Sequence, residues 1–299
     1  MKTLICLLLL GFTYPAFSQN QFTYPAFETQ RRQLTVYNLG IGAVMGGVGA
    51  LLNKKPDQKA GKVFLKGVGQ GILGSWVRLQ GKRMLYGISR RQSFAMGWPA
   101  KIVYTTGNSI LINAASNRNF WESWSMSFGP LRLELDQRNQ FRPRAKLLPG
   151  ALVGLIWSGT LGRFQLGTTL VSGVPYFLSD GPVRFGGRNF AGLAVGNSFT
   201  LDRRFADSYE LFSHEYIHTF QYEDYMAVNH FFDKPLATFR AQRPKLKKMN
   251  RWLYLDVNWG TFYSLYFLEG YQSFACYYNN FFELEAEHFA TSRGQRICE

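Results

Sequence analysis

Two apolar, glycine-rich runs open the pattern of this chain. Val36 to Leu52 is almost wholly apolar and carries Gly40, Gly42, Gly46, Gly47 and Gly49. A second run of the same texture, Val63 to Val77, is flanked by Lys59, Lys62, Lys66 and Arg78. Between them Lys54-Lys55-Pro56-Asp57 reads as a turn, so the pair predicts a helical hairpin. Gly42-x-x-x-Gly46 is a small-residue spacing that lets helix backbones approach closely. The first run, with Asn38 inside it, lies at the short limit for a bilayer span of about twenty residues. Two settings fit: a hairpin in or on a membrane, which the basic flanks favour, and a buried hairpin in a soluble core. The polar stretch 19–35 ahead of it reads as a loose arm.

From about residue 100 the texture changes to that of strands. Leu131 to Asp136 alternates strictly, Leu152 to Trp157 is a short buried-type run, and Phe164, Leu166, Thr168 and Leu170 alternate again. Glycines from 159 to 187 punctuate turns. Ala206 to Met226 then predicts an uninterrupted helix, with Asp202 and Asp207 near its positive end. A last helix is expected over residues 280–290, with Asn280 as its N-cap. The expected fold is α+β, a small antiparallel or mixed sheet packed on a zinc-site helix pair and preceded by a glycine-rich helical region. Its expected divisions are 1–18, 19–100 and 101–299.

Candidate chemistry sits on the first of those two late helices. His214-Glu215-Tyr216-Ile217-His218 is an H-E-x-x-H pentapeptide in a chain with only four histidines. At i, i+4 both imidazoles share a helix face and can meet one metal ion, with Glu215 beside them as general base for a metal-activated water. A catalytic zinc needs a third protein ligand. Asp224 stands where the metzincin pattern puts its last ligand, but Gln221 replaces the glycine that turns the chain there, so the helix should run on and carry Asp224 away. His230 and His288 are ligands by chemistry without a recognised spacing. Glu283 and Glu287 share a face by i, i+4 spacing, whereas Glu285 points elsewhere. Glu283 also has the spacing of a capping-box partner for Asn280, and Glu285 stays open as an alternative ligand.

Here the chain resembles the gluzincin zinc metallopeptidases, in which the third ligand is a glutamate on a later helix in an E-x-x-A-[D/E] context. Glu283-Leu284-Glu285-Ala286-Glu287 fits that context. The resemblance covers the two motifs, at most a third of the chain. It implies zinc bound by His214, His218 and Glu283, with Glu287 orienting a ligand histidine; Asp is commoner than Glu at that last position. Gly196-Asn197-Ser198, leading into the H-E-x-x-H helix, is the expected substrate-binding stretch, since such peptidases add an extended peptide to a sheet edge. One of the tyrosines crowding the approach to Glu283 is expected to face a developing oxyanion.

Residues 1–18 read as a secretory signal, with Lys2, an apolar stretch from Leu4 to Phe12, and Ala16-Phe17-Ser18 as a cleavage site. Cys276 and Cys298 then remain, as one disulfide or two free thiols. The charge is uneven: residues 19–200 carry a net +16 and residues 201–299 a net −2. A basic exported surface suits an anionic membrane or other polyanion, and no nucleic-acid motif is present. The expected function is therefore an exported zinc peptidase of the periplasm or cell envelope. The alternative is a non-enzymatic envelope protein with a structural or relic metal site, binding lipid or a protein partner.

Overall fold

The computed structural model describes residues 27–272 and 280–291; the expected signal segment, Cys276 and Cys298 lie outside them. Three long helices come first: α1 (Phe27–Leu52), α2 (Ala60–Arg91) and α3 (Gly97–Ala115). Glycines set how closely they pack. Gly42 and Gly46 of α1 sit against Gly71, Ser75 and Gly67 of α2, and a Cβ on Gly74 would lie 2.7 Å from the Gly107 carbonyl of α3. Side chains at these crossings would force the helices apart. Leu34, Ile41, Met45 and Ala50 of α1 are buried, while Val36, Leu65, Leu73 and Trp76 stay exposed on the hairpin. The stretch Thr29–Leu52 is long and apolar enough to cross a membrane, and half of its most apolar window is buried against the protein.

A three-stranded antiparallel sheet follows, β1 (Ser123–Phe128), β2 (Leu131–Asp136) and β3 (Arg144–Leu147). After it come α4 (Pro149–Leu161), β4 (Arg163–Phe164), α5 (Leu166–Ser172), β5 (Tyr176–Ser179), the hairpin β6 (Val183–Phe185) and β7 (Arg188–Phe190), then β8 (Gly192–Val195) and β9 (Ser198–Asp202). Four of these strands form a mixed sheet in the order β4-β5-β9-β8, with β5 and β9 parallel and β8 at an edge. The remaining helices are α6 (Tyr209–Asp224), α7 (Asp233–Ala241), α8 (Pro244–Met249), α9 (Val257–Gln272) and α10 (Phe281–Thr291). The inner face of the mixed sheet, through Tyr176 and Phe199, packs its rings on Phe212 of α6 at 5.2 and 4.9 Å between centroids. The fold is thus α+β, and α6 is sandwiched between the sheet and the three long helices.

Several segments differ from their sequence pattern. Helix α1 begins at Phe27, inside the stretch expected to be a loose arm, because Gln30 and Leu34 extend its buried stripe by one turn. Strands were expected from about residue 100, yet α3 occupies that region, with Ala100, Tyr104, Leu111 and Ala115 buried at helical spacing. Leu152–Trp157 belongs to a helix: Pro149 starts α4 in its first turn and the apolar run continues to Leu161. The alternation from Phe164 to Leu170 splits into a two-residue strand and α5, which ends at Gly173 with φ of 79°. The boundary expected at residue 100 falls within α3. One core cluster joins Leu34, Leu79 and Leu85 to Phe212, Tyr216 and Ala286, across that boundary.

Candidate metal centre

Helix α6 starts where Ser208 caps it, its hydroxyl accepting the Leu211 N–H at 3.3 Å. From there the helix runs unbroken to Asp224, and the i, i+4 spacing points His214 and His218 the same way. Helix α10 starts at Asn280, whose side-chain oxygen accepts the Phe282 N–H at 2.8 Å. Glu283 does not fold back onto this cap. It faces the two histidines, and Tyr266 of α9 donates to its Oε1 at 2.7 Å.

The three side chains converge. His214 Nε2 lies 3.2 Å from His218 Nε2 and 3.2 Å from Glu283 Oε2, and His218 Nε2 lies 3.5 Å from Glu283 Oε1. Donor atoms 2.0–2.1 Å from a tetrahedral zinc are about 3.3–3.4 Å apart; each pair here comes near that, through different oxygens of Glu283, and one atom from each of the three side chains lies within 4.8 Å of the others. The donor set, two imidazole nitrogens and a carboxylate, leaves a fourth position for water. Among the described residues this is the one group of three His, Cys, Asp or Glu side chains within metal-holding reach. The outer faces are held as well. Glu287 Oε2 lies 3.5 Å from His214 Nδ1, and Gln221 Oε1 lies 2.8 Å from His218 Nδ1.

The histidines and carboxylates of the group shift one another. Burial pushes the His214 imidazole down, but hydrogen bonds to Glu283 and Glu287 outweigh it and raise it to about 10. Burial likewise pushes Glu283 up, and His218 with His214 reverses this and holds it well below the ordinary carboxylate range. Glu215 behaves differently. Burial raises it, opposed by His218 and His214, which brings its carboxyl closer to the range of a working base.

Glu215 lies against the edge strand. The Ala194 N–H donates to its carboxylate, and Gly192 leaves the room it occupies, since a Cβ there would lie 2.5 Å from Glu215 Oε1. A cavity of about 720 Å³ opens in front of Glu215, His218 and Glu283. Its walls are Val153 and Trp157 of α4, Phe185 and Phe190 of the β6–β7 hairpin, and Trp259 and Phe267 of α9.

The other sequence candidates lie elsewhere. Asp224 is turned to the far side of α6, where Lys82 at 2.5 Å, Arg78 at 3.4 Å and the Tyr104 hydroxyl at 2.9 Å engage it. His230 bonds Asp233 and Tyr254 at 2.9 and 2.7 Å, and His288 is buried beside Phe289. Glu285 is off the metal face and pairs with Lys82 at 2.9 Å. Of the expected substrate-binding stretch, Gly196 lines the cavity. Asn197 and Ser198 do not: both are buried, with Asn197 donating to Glu223 at 2.9 Å and Ser198 to the Val195 carbonyl at 3.1 Å. The segment along the cavity is β8, one strand earlier. The sequence reading also missed Gln221, Tyr266 and Gly192. Gln221 had a local signal, its i+3 spacing from His218; Gly192 had none. Comparison with protein-family models, with curated proteins and with solved structures returned no match.

Proposed function

We propose that this chain is an exported zinc-dependent peptidase of the gluzincin type. The observation that supports it most is a conjunction: His214, His218 and Glu283 converge within metal-holding reach, and Glu215 stands between that point and the edge strand β8. In this reading α6 and α10 are the zinc-site helix pair, a small mixed sheet packs on them, and the glycine-rich hairpin precedes and braces them. Zinc held by the three side chains supplies Lewis-acid polarisation and lowers the pKa of water. Glu215 takes a proton from the attacking water, and its burial suits it to return that proton to the leaving amine. Tyr263 and Tyr266 line the cavity. Tyr263 already accepts the Gly196 N–H at 2.9 Å, so its own proton is free to point at a substrate oxygen.

The substrate is an extended peptide laid along β8. Asp202 N–H donates to the Ala191 carbonyl, so by antiparallel alternation Gly192 and Ala194 turn their main-chain groups away from β9, the Ala194 N–H to Glu215 and the others toward the cavity. The aromatic walls favour large apolar side chains next to the cleaved bond. Residues 1–18 support export to the periplasm or cell envelope, and the basic flanks beside exposed Leu65, Leu73 and Trp76 support contact with an anionic membrane surface.

The test is zinc content together with cleavage of unfolded protein or peptides by the purified chain. Glu215→Gln should keep zinc and lose cleavage, whereas His214→Ala and His218→Ala should lose zinc. Stoichiometric zinc without cleavage in the native chain would favour the non-enzymatic envelope reading.

A further inference from the structure

The side chain of Gln221 has one arrangement that satisfies its surroundings. Its Nε2 donates to the Phe282 carbonyl at 2.8 Å and to Glu285 Oε2 at 2.9 Å, both of α10. Both of those partners are acceptors. Turning the amide over would set its oxygen against a carbonyl and a carboxylate, so the carbonyl Oε1 must face His218 Nδ1, 2.8 Å away. A carbonyl can only accept, so Nδ1 of His218 carries the hydrogen. In the neutral ring that binds a metal, the other nitrogen, Nε2, is then the one with a lone pair, directed at His214 and Glu283.

The chain of contacts continues past Gln221. Lys82 of α2 reaches both oxygens of Glu285 at 2.9 Å, and Asn38 of α1 donates to Glu285 Oε1 at 2.7 Å. All of these side chains are buried. We infer that Gln221 is a positioning residue for the ligand His218, and that Glu285, anchored by Lys82 and Asn38 of the hairpin, holds Gln221 in that role. The glycine-rich hairpin thereby takes part in building the metal centre, although none of its atoms touches the metal position. The inference rests on the metal reading of the site and not on peptide cleavage.

The experiment is zinc affinity by chelator competition, with the absorption spectrum of the cobalt-substituted protein and the melting temperature of the metal-free protein recorded alongside. Gln221→Leu is near in size and removes the acceptor. It should weaken zinc roughly ten- to hundredfold and shift the cobalt spectrum, with little change in metal-free melting. Glu285→Leu should produce a comparable loss, and the double variant no more than the larger single loss, because Glu285 acts through Gln221. Native zinc affinity in Gln221→Leu would overturn the inference. So would losses that add in the double variant. If Glu285→Leu fails to fold, Gln221→Leu and its cobalt spectrum decide. A native chain that binds no zinc would remove the metal reading itself, whereas a chain that binds zinc and cleaves nothing would leave this inference standing.

Discussion

Gly192 offers the sharpest test of the geometry, because a single methyl there should disable catalysis without touching a ligand. A Cβ built on Gly192 would lie 2.5 Å from Glu215 Oε1 and 2.6 Å from Leu201 Cδ2. Carbon–oxygen and carbon–carbon contacts need about 3.5 Å, so roughly 1 Å of displacement is required. Both atoms are the ends of side chains, so Gly192→Ala is accommodated by moving them and not by breaking the sheet. Leu201 is fully buried in the main core cluster, so the Glu215 carboxylate, which faces the cavity, yields more. A misplacement of about 1 Å in a catalytic group costs on the order of a hundredfold in rate. The expected phenotype is therefore a kcat reduced about a hundredfold with native zinc stoichiometry, read by peptide hydrolysis and metal analysis on the same preparation. Gly192→Val should be worse. Full activity in Gly192→Ala would refute the placement of Glu215 against β8, and loss of zinc would mean that the methyl disturbs the ligands instead.

Glu283→Ala should weaken zinc strongly, and Glu287→Ala, which removes the carboxylate facing His214 Nδ1, by roughly 10–100-fold in a chelator competition. Burial pushes Glu134 up, but Arg132 and Lys146 outweigh it and hold it at about 2. A carboxylate depressed in the folded state stabilises above its unfolded pKa, so this contribution, up to about 3 kcal/mol, is present above about pH 4.5 and is lost as pH falls toward 2. In urea titrations Glu134→Gln should flatten stability across that window; an unchanged slope would remove Glu134 from the acid response. The chain should bind anionic vesicles better than neutral ones and release them as salt rises, because Lys59, Lys62 and Lys66 flank the hairpin. Equal binding to both vesicle types would remove the electrostatic part of that contact.

Helical periodicity alone placed His214 with His218, and Glu283 with Glu287, on single faces, and it separated Glu285 and Asp224 from those faces. It could do so because neighbours three or four residues apart meet within one element, whatever the rest of the chain does. The same local logic misread Leu152–Trp157 as a strand, since a short apolar run has no period of its own and only Pro149 and the continuation to Leu161 mark it as helix. It also put Glu285 off the face of Glu283 and Glu287 while leaving it open as an alternative ligand. Glu285 does point off the metal face, but it lands on Gln221, 64 residues earlier in the chain, and on Lys82, 203 residues earlier. The edge position of β8 and the void at Gly192 are likewise products of packing. A strand becomes an edge only when the order β4-β5-β9-β8 is settled, and a glycine becomes necessary only when Glu215 is pressed against it. Which side chains share a helix face was therefore local information, carried by spacing. The meeting of Glu283 with the two histidines, the wall behind Glu215 and the shape of the cavity were decided by contacts between residues far apart in sequence, which no periodicity records.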